Sequence, residues 1–152
     1  MTYTTPEDSF SIMVSLFNEY NLKEQFLPKM PGLEKNFYIL LSLQKKYMPA
    51  MYKKFNDMQY VPQIYASQWF LTVFSIYFPF EAVVRIWDIY IVEGRKTIFR
   101  IALAILKVNE KELMEAEMEE LFSTLKIYKE NVDFDKLLKQ ALKFKFSHKL
   151  VD

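Results

Sequence analysis

Six glutamates between positions 110 and 120 (Glu110, Glu112, Glu115, Glu117, Glu119 and Glu120) are the densest carboxylate cluster in this 152-residue chain. Such a set could ligate a metal or exchange protons. A calcium loop, however, needs a sharp glycine turn and oxygen ligands at alternate positions, and no glycine occurs among these residues. Their spacing suits the outer side of an amphipathic helix, a solvated acidic face. Lys136, Lys139, Lys143 and Lys145 form a basic counterpart near the end of the chain, read either as ordinary solvated surface or as a membrane-surface patch. Histidine occurs once, at His148, and cysteine not at all. Histidine-cluster and thiolate metal sites are therefore excluded, and nothing supports a serine–histidine nucleophile. No metal, cofactor or catalytic residue is assigned.

Two further groups could do chemistry. Arg85 and Asp88 stand three apart, the spacing that puts side chains on one face of a helix. Arg85 could be a cation inserted into a partner's active site, or the pair could form a partly buried ion network anchored near Trp87. The neighbours Val83, Val84, Ile86 and Ile89 are those of an inner helix and favour the second. Gln68 could supply an amide to a partner's active site, but, followed by Trp69 and Phe70 in an apolar run, it reads as a helix-packing hydrogen bonder. Methionines 48, 51 and 58 with tyrosines 47, 52 and 60 could line a peptide groove, but adaptable core filling explains them as well.

The elements that must position these residues are helical. With 51% hydrophobic and 17% aromatic residues the chain has the composition of a folded protein, and with two glycines it has little material for a many-turned β fold. Thr5-Pro6-Glu7-Asp8 reads as an N-cap, a proline at the first helical position and acids on the positive end of the helix dipole. The helix that follows carries Phe10, Met13, Val14, Phe17 and Tyr20 as its inner stripe and stops at Asn21. Leu22–Pro31 is a linker. Helices are expected over 33–47 (Leu33, Phe37, Leu40, Leu41 inward), 49–57 (Met51, Tyr52, Phe55), 64–78, 80–93 and 95–107. Pro79 and Gly94 mark the last two boundaries. Asn109 to Glu112 resembles a capping box that opens a helix to about Lys126, with Met114, Met118, Leu121, Phe122 and Leu125 inward. Tyr128–Asn131 connects to a last helix capped by Asp133, holding Phe134, Leu137, Leu138, Ala141 and Leu142. The expectation is one all-α domain, an irregular bundle of about eight helices with 64–78 at its centre.

Partners are bounded too. A net charge of +1 gives no case for nucleic acid. Met58–Phe80 contains no charged residue but is interrupted by Pro62 and Pro79. The helix between them would span roughly 24 Å at ~1.5 Å per residue, short of a ~30 Å hydrocarbon core. No transmembrane segment is expected there, and Met1–Asp8 is too polar for a secretory signal.

These same residues carry a family resemblance. Trp69-Phe70-Leu71-Thr72, Arg85-x-Trp87-Asp88 and Glu93-Gly94 stand in the order and spacing of the C-terminal half of a TBC domain, the module that activates GTP hydrolysis by Rab proteins. Phe37-Tyr38, Leu40, Pro49 and Met30-Pro31-Gly32-Leu33 extend the match, so that it covers essentially residues 1–152. The resemblance makes Trp69, Phe70, Arg85, Trp87, Asp88, Glu93 and Gly94 structural motif residues. It implies a Rab-family small GTPase and the N-terminal half of the same domain as partners, in a cytoplasmic protein peripheral to endomembranes. The family's catalytic patterns, I-x-x-D-x-x-R with its arginine finger and Y-x-Q with its glutamine finger, do not occur in these 152 residues. By resemblance the chain is thus a fragment of a GTPase activator, inactive alone, that forms one wall of the GTPase-binding cleft and scaffolds the catalytic half. The alternative is a non-catalytic helical interaction module derived from the same fold.

Overall fold

The computed structural model describes residues 5–20, 22–126 and 133–151. They form two compact units, Met1–Lys35 and Asn36–Asp152, with the boundary inside a continuous helix. Among the described residues there are ten α-helices, two short 3₁₀ turns and no strand. Asn21 and the connector 128–131 lie outside the described residues.

In the first unit, α1 (Pro6–Glu19) starts as its sequence dictates: the Thr5 hydroxyl accepts from the Asp8 amide at 3.1 Å. A 3₁₀ turn, Leu22–Gln25, follows, and Phe17 stacks on Phe26 with ring centroids 5.6 Å apart. The start of α2 (Pro31–Tyr47) lies against this turn. A Cβ on Gly32 would come within 2.8 Å of Glu24 backbone and side-chain carbons, so the close approach requires glycine. The α1 stripe departs from expectation. Leu16 is buried, but Phe10, Met13 and Val14 are exposed.

The second unit is built around α7 (Lys96–Val108), in which every residue from 97 to 106 except Arg100 is buried. The centre of the fold is therefore this helix rather than 64–78. α6 (Phe80–Glu93), α10 (Phe134–Ala141), α5 (Ser67–Thr72) and α8 (Glu110–Glu115) pack against it. The expected helix over 64–78 is instead α4 (Pro62–Tyr65), α5 and a reversal. Val73 (φ 46°) and Phe74 (φ 62°) both adopt the left-handed conformation, and the amides of both meet the Trp69 carbonyl. A straight rod apolar on all sides would leave one side in water. The reversal buries Trp69, Phe70, Val73, Phe74 and Phe78 together and leaves Ile76 outside. A β-branched residue in this conformation costs on the order of 1–3 kcal/mol, which that burial offsets.

The expected helix over 109–126 is also two, α8 and α9 (Met118–Lys126). Asn109 does not cap α8; its side-chain amide donates back to the Ile105 carbonyl at 2.7 Å, closing α7. The break at Ala116 is held by Lys54 of α3 (Pro49–Asp57), whose ammonium donates to the Met114 and Ala116 carbonyls at 3.0 and 2.6 Å. Glu120 then accepts from the Glu117 amide at 2.9 Å to open α9. These two breaks turn the expected eight helices into ten. Met114 and Leu142, expected inside, are exposed, whereas Leu113 is buried.

An aromatic chain runs through the unit: Phe55, Tyr60, Tyr65, Trp69, Phe74, Phe78 and Phe134 are in successive ring contact. The methionines at 48 and 51 belong to the same core. Burial pushes the Tyr60 hydroxyl from 10.0 up to about 12, and burial with the neighbouring Tyr60 raises Tyr65 as well. Because the folded values lie above the unfolded one, the neutral tyrosines contribute stability that is complete below pH 10. That stability begins to fall as the unfolded chain ionises, and the Tyr60 share is lost by about pH 12. The denaturation midpoint is therefore expected to drop across that window, and the drop should shrink in Tyr60→Phe. An alkaline profile identical in the two proteins would refute the assignment.

Candidate functional site

The motif residues split between core and surface. Trp69 and Phe70 are buried, 1% and 0% exposed. Trp69 sits edge-on to Tyr65 and Tyr77 at 5.6 Å from each, and Phe70 lies between Phe37 (6.0 Å) and Phe99 (5.4 Å). They hold α5 against α2 and α7. Gln68, one residue earlier, is exposed, so the expectation that it packs inside does not hold. Helical periodicity turns its side chain outward while Trp69 and Phe70 turn in.

α6 carries the next four motif positions. Ala82, Ile86 and Tyr90 face the core, and Arg85 and Asp88 lie on the outer side. The expected Arg85–Asp88 pair does not form. Arg85 Nη1 donates to Asp135 of α10 at 2.7 Å, and the guanidinium carbon lies 5.2 Å from the Phe134 ring centroid. Its side chain remains 51% exposed, so the ion network is a surface clasp between α6 and α10 worth at most about 1 kcal/mol. The half-buried Trp87 turns its indole N–H toward the Ser75 hydroxyl at 3.3 Å. That contact ties the reversal after α5 to α6.

The end of α6 is the more deeply organised part. Gly94 has φ 69° and ψ −154°, a combination open essentially to glycine, and from there the chain enters α7 directly. Glu93 pairs with Arg100, whose Nε also donates to the Phe144 carbonyl at 3.2 Å. Sequence reasoning missed Arg95, the most buried charge among the described residues. It is 9% exposed and donates to Asn36 Oδ1 of α2 at 2.7 Å. No local signal marks that pair, because the two residues are 59 positions apart.

Among the described residues no group of three or more histidine, cysteine, aspartate or glutamate side chains could hold a metal, and His148 is exposed. Of the acidic cluster, Glu110 pairs with Lys107 and Glu112 accepts from Thr124 at 3.2 Å. The others lie on the exposed side of α8 and α9. No helix among the described residues is long and apolar enough to cross a membrane. The exposed apolar side chains include Phe10, Met13 and Val14 of α1 and Phe80, Ile91 and Val92 of α6.

The model of the Rab-GTPase-TBC domain matches residues 1–114. The chain is 34% identical over 146 residues to the ecotropic viral integration site 5 protein of Mus musculus, covering 94% of this chain and 18% of that protein. It is 38% identical over 119 residues to the GTPase-activating protein GYP5 of Saccharomyces cerevisiae, covering 78% and 13%. It is 39% identical over 113 residues to the Rab GTPase-activating protein eat-17 of Caenorhabditis elegans, covering 74% and 13%. The chain thus spans less than a fifth of each of these relatives. An all-helical fold, the aromatic core around Trp69 and Phe70, and a family match over three quarters of the sequence agree: the chain belongs to the Rab-GTPase-TBC domain family.

Proposed function

We propose that this chain is the C-terminal part of a TBC module that stimulates GTP hydrolysis by a Rab-family GTPase. In this reading it forms one wall of the GTPase-binding cleft and supports an upstream half that carries the arginine and glutamine fingers. Arg85, Trp87, Asp88, Glu93 and Gly94 are then architectural, and the site of action is the cytoplasmic surface of an endomembrane. The observation that carries the proposal is the α1 stripe. Phe10, Met13 and Val14, at helical i, i+3, i+4 spacing, are 70%, 40% and 43% exposed. Contiguous apolar surface of this kind marks an interface. The second reading is a TBC-derived interaction module that binds without activating.

Sedimentation velocity tests the first reading. The chain is expected to self-associate with rising concentration, or to form a stable complex with a TBC N-terminal half carrying both fingers. Phe10→Ser/Val14→Ser should abolish that complex with little loss of stability, since both side chains are already exposed. A strict monomer that binds no such half would refute the proposal.

A further inference from the structure

The fold exposes three lysines near the C-terminus, Lys143, Lys145 and Lys149, on a segment seated by two buried phenylalanines. From Lys136 to Val151 the sequence contains no aspartate or glutamate. After α10 burial alternates: Phe144 and Phe146 are buried, and Lys143, Lys145 and Lys149 are exposed. The two phenylalanines seat the segment on Tyr47, with ring centroids at 5.1 and 6.5 Å, and the Tyr47 hydroxyl donates to the Lys145 carbonyl at 2.6 Å. Two more ammonium groups are brought alongside. Lys46 Nζ lies 5.3 Å from the Tyr47 ring and Lys96 Nζ 5.7 Å from the Phe146 ring.

We propose that this face, formed by Lys143, Lys145 and Lys149 with Lys46 and Lys96 beside them, binds the surface of anionic phospholipid bilayers. None of the five lysines is in an ion pair among the described residues. Glu93, the acid tied to this segment through Arg100, has its charge met by that guanidinium. Each lysine held near an anionic bilayer strengthens binding by roughly fivefold. Leu142 and Leu150, 55% and 45% exposed, flank the lysines and can enter the headgroup boundary. A phosphodiester backbone would make no use of them, which favours a membrane over nucleic acid. The inference does not rest on the GTPase-activating reading, and no Rab enters the test.

The test is co-sedimentation of the full chain with vesicles of phosphatidylcholine, pure or mixed with phosphatidylserine. Retention is expected on the mixed vesicles alone and should fall with added salt, which screens exposed charges. Lys143→Gln/Lys145→Gln/Lys149→Gln should weaken partitioning about 100-fold at the per-lysine factor above, with an unchanged circular dichroism melt. Leu142→Ser/Leu150→Ser should weaken it severalfold. Lys23→Gln/Lys53→Gln/Lys111→Gln, which removes equal charge from other exposed positions, should leave it unchanged. The assignment is overturned by absence of retention on mixed vesicles, by indifference to salt, to the lysine variant or to the leucine variant, by an equal loss in the control, or by tighter binding to duplex DNA.

Discussion

A GTP-loaded Rab mixed with this chain alone is expected to release phosphate at its intrinsic rate, and to accelerate by about 10³–10⁵ once a finger-bearing half is supplied. Activation in trans needs a positioned cation on the transition-state charge and a group that orients the attacking water. Together these lower the barrier by roughly 4–7 kcal/mol. The three arginines of the chain are each engaged, Arg100 by Glu93. Arg95 is buried against Asn36, and Arg85, although exposed, is engaged by Asp135 and lies over Phe134. Gln68 is exposed on α5. Single-turnover phosphate release across a panel of Rab proteins decides the matter, with Arg85→Lys and Gln68→Ala beside the parent. Acceleration of about a hundredfold or more by the chain alone, lost in folded Arg85→Lys, would make Arg85 a finger and overturn the assignment. A rate that stays intrinsic even in the complex with the finger-bearing half would favour the non-activating module.

How much of this was legible depended on how far each determinant acts along the chain. Thr5 and Asp133 cap helices by accepting from amides three residues on, Pro6 opens α1 at its first position, and such signals can be read from a few letters. Pro79 and Gly94 bound α6 for equally local reasons. The reversal at Val73-Phe74 was not legible, because neither residue favours a positive φ and only the burial of five side chains imposes it. The break at Ala116 depends on Lys54, more than sixty residues earlier, and its one local trace was Glu117-x-x-Glu120. The same holds for the site. Arg85 and Asp88 have the spacing of partners, yet Asp135 sits fifty residues on and takes the guanidinium. Periodicity found the apolar stripe of α1 but could not say whether anything covers it.

Replacing Trp69 by alanine is expected to destabilise the fold by about 3–5 kcal/mol, the usual cost of truncating a buried large aromatic. The side chain is 1% exposed and meets the rings of Tyr65, Phe74 and Tyr77. Its loss would leave a cavity at the middle of the aromatic chain, where the strained reversal limits collapse of the surroundings. Domains of this size hold about 5–15 kcal/mol in total, so the variant should be near or past its midpoint at modest denaturant. The other motif tryptophan provides the scale. Trp87 is half-buried with its indole N–H on an exposed serine, and Trp87→Ala should cost about 2 kcal/mol for the apolar area it still covers. Asp88→Ala should stay within about 0.5 kcal/mol, as surface substitutions do, because Arg85 is not its partner. Denaturant midpoints at constant slope give all three values. The decisive feature is the order Trp69, Trp87, Asp88. A loss at Asp88 equal to that at Trp69 would mean that Asp88 is the partner of a buried Arg85, and that α6 is turned inward relative to its position here.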